Sequence, residues 1–180
     1  MEYPGFGINF GRGFCSTSQV KHEATVLLDF VRDEMGVPND NIILFGRSMG
    51  TGVAVYLAAE KCKPAAIILV APYTAIKDVP FPPLTFMLRC LSGHFNSLHI
   101  IQKVECPVLI IHGIDDKTIP ISHGRKLFEK LAATSRPPST FKLEERQNCS
   151  HIEYSVRKDL IWPTKCFLEE HWKPEWFDEE

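Results

Sequence analysis

A serine between glycines, set where an apolar run meets a helical pattern, is the strongest chemical signal in this 180-residue chain. Gly46-Arg47-Ser48-Met49-Gly50 follows Asn41-Ile42-Ile43-Leu44-Phe45, a short apolar run that reads as a buried parallel strand. Thr51 to Lys63 then reads as a helix with Val53, Ala54, Leu57 and Ala58 on one face. Strand, G-x-S-x-G and helix together describe a nucleophile elbow. The sharp turn lifts the Ser48 hydroxyl clear of the sheet and places it at a helix N-terminus. There the Met49 N–H can receive a developing oxyanion. The flanking glycines let the turn pass close to its neighbours with no Cβ in the way.

A serine hydroxyl needs a base, and the base needs a group that fixes its tautomer. Candidates lie further along. Pro107 to His112 reads as a buried strand, and two acids, Asp115 and Asp116, stand in the loop behind it. His151 sits in the loop after the last predicted strand. Ser48, the acid and His151 therefore all fall just past strand C-termini, the end at which open α/β sheets bind ligands. Of the other histidines, His112 ends a strand and is expected to orient backbone. His22, His94, His99, His123 and His171 read as surface residues.

The elements that must position these groups alternate. Ser16-Thr17-Ser18-Gln19 fits a capping box opening an amphipathic helix over 18–35, with Val20, Ala24, Leu27, Leu28, Val31 and Met35 at helical spacing and Gly36 placed to end it. After the elbow helix, Ala65 to Ala71 gives a second buried strand, and helix followed by strand, twice over, predicts a parallel sheet with right-handed crossovers. Residues 77–104 interrupt the alternation with Pro80, Pro82 and Pro83 and the apolar Phe81, Leu84, Phe86, Met87 and Leu91. Phe81, Leu84, Phe86 and Met87 either line an acyl or leaving-group pocket or simply cover the sheet. A helix over 122–133, an outer strand over 140–144 and a last helix carrying Tyr154, Leu160, Ile161 and Phe167 complete one α/β domain over 1–173, with an acidic, frayed tail.

Composition excludes several classes. A hydrophobic content of 44% rules out a disordered chain, and a net charge of −2 without a basic stripe argues against nucleic-acid binding. No apolar run is long enough to span a bilayer, and Met1 to Gly5 lacks a signal peptide's pattern. Six cysteines without a C-x-x-C pair predict neither structural zinc nor a disulfide framework, and point to reduced thiols in the cytoplasm. The glycine-rich segment 3–13 has neither the spacing nor the lysine of a phosphate cradle, so no cofactor and no metal are expected.

The order serine, acid, histidine is that of the α/β-hydrolases. Gly-Arg-Ser-Met-Gly-Thr-Gly (46–52), Ala-Pro-Tyr-Thr (71–74), Pro-Val-Leu-Ile-Ile-His-Gly-Ile-Asp-Asp (107–116) and Glu-Tyr-Pro-Gly-Phe-Gly (2–7) resemble that superfamily. The likeness is to its serine-aminopeptidase-like branch, which includes membrane-associated protein depalmitoylases, and it extends to about residue 170. The branch's acid loop, His-Gly-x-x-Asp, implies Asp116 as the acid. Its base usually lies in Gly/Asp-His-Asn, from which Ser150-His151-Ile152 departs, and Asn9 stands where relatives often have Ser.

The resemblance implies a serine hydrolase cleaving carboxylic esters or thioesters, S-acyl groups on protein among them, through an acyl-enzyme on Ser48. Small-molecule or acylated-protein substrates are the expected partners. Peptide or amide cleavage is the alternative within the class, and an impaired fragment acting only in binding is the alternative outside it. In the relatives the segment matching 3–7 follows the fourth strand. The expectation is therefore an N-terminally truncated fold with the elbow strand exposed at an edge, its second oxyanion donor missing, and any membrane association supplied from upstream.

Overall fold

The computed structural model describes residues 7–9, 16–79 and 95–172. Within them the chain runs α1 (Thr17–Asp29), β1 (Ile43–Arg47), α2 (Met49–Glu60), β2 (Ala66–Val70), α3 (Ser97–Ile100), β3 (Val108–Gly113), α4 (Ser122–Ala132), β4 (Phe141–Arg146) and α5 (Trp162–His171). The four strands form one sheet in the order β1-β2-β3-β4, every pair parallel. The α/β class and the parallel sheet read from the sequence are both present. Residues 80–94, with Phe81, Leu84, Phe86 and Met87, lie outside the described residues, as do most of the glycine-rich segment 3–13 and the acidic tail.

Alternation along the central strands divides the core. Ile67 and Leu69 of β2 and Val108 and Ile110 of β3 pack on Ala54, Val55 and Ala58 of α2 and on Leu127 and Leu131 of α4. The residues between them, Ile68, Val70, Leu109 and Ile111, turn to the other face and meet Phe167 of α5. Both central strands are buried throughout, as continuous apolar runs require when each face carries helices. β1 lies at one edge of the sheet among the described residues, and its Phe45 is 56% exposed.

Several local expectations need correction. Only half of the capping box forms: Ser16 Oγ accepts the Gln19 N–H, whereas the Gln19 side chain donates forward to Glu23. α1 ends at Asp29 and passes into a π-helical turn over Phe30–Glu34. Within α1 the buried face is Val20, Ala24 and Leu28, four residues apart, and Leu27 beside it is exposed; the turn adds a residue after them, and Met35 beyond it is exposed. α2 starts at Met49, immediately after the serine, and stops at Glu60. Tyr154 precedes the last helical segment instead of lying in it. His123 is buried, because it sits in the first turn of α4 against Thr74, whose N–H it accepts at Nδ1.

Candidate active site

Ser48 stands between β1 and α2 with φ 50° and ψ −119°. A non-glycine residue there stores about 1–3 kcal/mol of strain, which the surroundings must enforce. They do so from both sides. Ser48 N–H donates to Val70 O, and Ser48 O accepts both the Thr51 N–H and the Thr51 hydroxyl. Gly46 makes the turn possible in a specific sense: a Cβ there would stand 2.5 Å from Gly50 O and 2.8 Å from the Gly50 carbonyl carbon. As the first residue of α2, Met49 has an N–H outside the helical ladder, positioned beside the serine.

Asp116 follows β3 in a tight loop, and only 4% of its surface is exposed. Its Oδ1 accepts the N–H groups of Thr118 and Ile119 at 2.9 and 2.8 Å, which fixes the carboxylate plane. Oδ2 lies 2.8 Å from His151 Nδ1, and His151 Nε2 lies 3.0 Å from Ser48 Oγ. A carboxylate can only accept, so Nδ1 carries the proton and Nε2 is left bare to accept from the serine hydroxyl. Burial by itself would raise the Asp116 carboxyl. The hydrogen bond from His151 and that from the Ile119 N–H outweigh burial and hold it below the usual carboxylate range. It is therefore ionised at neutral pH. Asp115, the competing acid, is exposed, and its backbone N–H donates to Cys149 O.

Beneath the acid lies His112, fully buried, with Nε2 2.8 Å from Ile119 O and 3.7 Å from Asp116 Oδ2. Burial pushes its pKa down, so the ring is neutral. A carbonyl accepts, so the proton is on Nε2, and the ring clamps the far end of the acid loop. Its Nδ1 has no hydrogen-bond partner among the described residues.

Sequence spacing drew no attention to two residues at this site. Arg47 was only the variable residue of the G-x-S-x-G motif, and Tyr154 read as one apolar position of a helix. Both make contacts across more than forty residues of chain, which no local pattern signals. At the open edge of β1 a groove of about 640 Å³ is lined by Leu28 and Val31 of the first helical segment, Leu44 of β1 and Leu57 of α2, with Ser48 and Met49 also in its wall.

Residues 1–103 match the family model described as serine aminopeptidase, S33. Among curated proteins the chain is similar to the alpha/beta hydrolase domain-containing protein aho-3 of Caenorhabditis elegans, 34% identical over 136 residues that cover 76% of this chain and 40% of that protein. It is also similar to human alpha/beta hydrolase domain-containing protein 17B, 36% identical over 136 residues, covering 76% of this chain and 46% of the relative. The chain thus spans about half the length of the curated relatives it matches. Among solved structures, a protein from Mycobacterium tuberculosis described as a non-heme bromoperoxidase superposes with a TM-score of 0.71 at 14% identity, covering 96% of this chain and 81% of that one. An acylaminoacyl peptidase from Pyrococcus horikoshii gives 0.62 at 14% identity, over 78% of this chain and 24% of its own. At such identities the structural likeness is one of fold.

Proposed function

Because the chain belongs to the serine aminopeptidase S33 family of the α/β-hydrolases, we propose that it is a serine hydrolase acting on carboxylic esters or thioesters through an acyl-enzyme at Ser48. The observation that carries this reading is the unbroken hydrogen-bond line from Asp116 Oδ2 through His151 to Ser48 Oγ. In the proposed reaction His151 Nε2 takes the hydroxyl proton as Ser48 Oγ attacks the substrate carbonyl carbon. The Met49 N–H donates to the oxyanion that forms. Collapse of the tetrahedral intermediate expels the alcohol or thiol, which receives the proton from His151, and a water then repeats the sequence to free Ser48 and release the acid. Asp116, ionised and buried, stabilises the imidazolium in both halves.

The acyl part of the substrate is assigned to the apolar groove whose wall includes Ser48. Each CH₂ buried there would contribute about 0.8 kcal/mol, so an extended acyl chain, small-molecule or protein-borne, suits the groove better than a polar peptide. The scattered cysteines, with no C-x-x-C pair, suit a reducing, cytoplasmic setting. No helix among the described residues is long and apolar enough to cross a membrane. A second reading, amide or peptide cleavage, is favoured by the aminopeptidase description of the family model. The two readings separate on matched ester and anilide substrates, since only the anilide depends strictly on protonation of its leaving group.

Fluorophosphonate labelling tests the proposal. We expect stoichiometric modification of Ser48 that is absent in Ser48→Ala. A cooperatively folded protein that takes no label would overturn the hydrolase reading and leave a binding role for the sheet.

A further inference from the structure

Three loops bear the candidate triad, and they are tied together unevenly. The end of β3 and the acid loop are sewn to the end of β4 and the base loop by three backbone N–H groups. Gly113 N–H donates to the Tyr154 hydroxyl at 2.9 Å, Ile114 N–H to Arg146 O at 3.0 Å and Asp115 N–H to Cys149 O at 3.1 Å. The elbow has no such seam with the base loop. Among the described residues, two hydrogen bonds join 46–50 to 147–155. One is the Ser48–His151 bond itself, and the other runs from the Arg47 guanidinium to the His151 carbonyl oxygen at 3.0 Å. Arg47 is the residue directly before the serine, and its guanidinium carbon stands 5.9 Å from the centre of the Tyr154 ring. One tyrosine thus accepts from the start of the acid loop through its hydroxyl and faces, through its ring, the arginine that holds the base.

We propose that Arg47 and Tyr154 form a positioning pair that sets the distance between Ser48 Oγ and His151 Nε2. The inference rests on the hydrolase reading above. Arg47 is suited to the task because a guanidinium presents several donors in one plane and packs on an aromatic face while donating at its edge. Its grip is on the main-chain oxygen of the base residue, so it fixes where the imidazole starts without touching the ring nitrogens that carry the proton. Tyr154 limits the guanidinium's freedom on one side and joins it to the acid loop on the other. Neither residue contacts the reacting atoms, and both act through His151. A small displacement of a reacting pair is enough to cost up to about 10² in rate, so the loss should fall on kcat with KM little changed.

The experiment compares wild type with Arg47→Ala, Arg47→Lys, Tyr154→Phe and the double variant Arg47→Ala/Tyr154→Phe. It measures kcat and KM on a short p-nitrophenyl ester. It also follows the solvent exchange of the downfield His151 Nδ1–H proton by NMR, assigned by its loss in His151→Ala. Arg47→Ala should lower kcat by about tenfold to 10²-fold with KM within about twofold, and should speed exchange of the His151 proton. Arg47→Lys, which keeps a cationic N–H donor but not the planar guanidinium, should recover part of both. Tyr154→Phe keeps the ring under Arg47 and isolates the loss of the hydroxyl. The double variant should be less impaired than the product of the single losses, because both act through one contact. Unchanged kcat and unchanged exchange in a folded Arg47→Ala protein would overturn the pair. So would single losses that multiply independently. A wild type that fails to turn over, yet shows faster His151 proton exchange in Arg47→Ala, would sink the hydrolase reading while upholding the positioning role.

Discussion

Replacing either of two adjacent acids with its amide separates a buried charge from an exposed one at nearly constant shape. In Asp116→Asn the two backbone donors, Thr118 and Ile119, still require an acceptor, so the amide oxygen must take the place of Oδ1. The amide nitrogen then occupies the Oδ2 position, 2.8 Å from His151 Nδ1. An NH₂ group donates, so Nδ1 must become the acceptor and the ring proton must move to Nε2. The nitrogen facing Ser48 Oγ is then a donor and can no longer accept the hydroxyl proton. A wrong-tautomer change of this kind in another serine hydrolase lowers kcat by about 10⁴. We expect a loss of that order here, equivalent to about 5.5 kcal/mol of barrier. Asp115→Asn keeps its backbone bond to Cys149 O, and its exposed side chain lies off the hydrogen-bond line, so kcat should stay within about threefold on the ±0.5 kcal/mol scale of surface substitutions. The assay is kcat on a short p-nitrophenyl ester, with thermal unfolding to show that both variants fold. If Asp115→Asn were the crippling change, the assignment of the acid and the tautomer argument would both be wrong.

Ser48→Ala and His151→Ala should reduce ester turnover to a similar residual, since groups that work as one unit are not additive, and kcat of the two singles and the double checks it. Gly52→Ala should destabilise the fold by about 1–3 kcal/mol, read as a lower urea midpoint, because the new methyl would run into the Tyr73 hydroxyl and approach Phe95 Cβ at 3.2 Å. Stability should also fall as pH drops below about 6.5, where an unfolded histidine takes up a proton. Burial lowers the pKa of both His112 and His123 in the fold, so between the ordinary value and the depressed one the unfolded state binds more protons. Each ring then contributes up to about 1.4 kcal/mol per pH unit. Urea titrations at stepped pH measure the slope, and a flat profile over that window would contradict neutral burial. Phe45→Lys should shift the 180-residue chain toward monomer in sedimentation, because β1 offers an edge with no partner among the described residues and an exposed aromatic on it.

Apolar runs carried the sheet. Residues 66–70 and 108–113 are buried end to end, and no helix of such short, β-branched runs would compete. The elbow was legible for the same reason, since a glycine-bounded serine between a strand and a helix has few other geometries. Position past a strand end predicted that Ser48, an acid of the 113–120 loop and His151 lie on one side. It could not choose between Asp115 and Asp116, which are neighbours in sequence and opposite in exposure. That choice came from resemblance to the His-Gly-x-x-Asp loop, and the structure adds the two backbone donors that hold Asp116 in place. What stayed hidden was non-local. His123 read as surface because its helix is amphipathic, and Thr74, which buries it, lies 49 residues away. Arg47 and Tyr154 likewise meet only once the whole sheet has closed.

The all-parallel order of the strands has a consequence in time as well as in space. Each strand joins its neighbour only through a crossover, so no pair can zip from a hairpin turn. The Ser48–His151 contact spans 103 residues and the His151–Asp116 contact 35. Such closures are slow, since loop entropy is lost before the contacts that repay it exist. During refolding from urea, Ser48 should remain unreactive toward a fluorophosphonate well after tryptophan fluorescence and helical circular dichroism have recovered. The serine's reactivity would then serve as a clock for the final docking of the base loop.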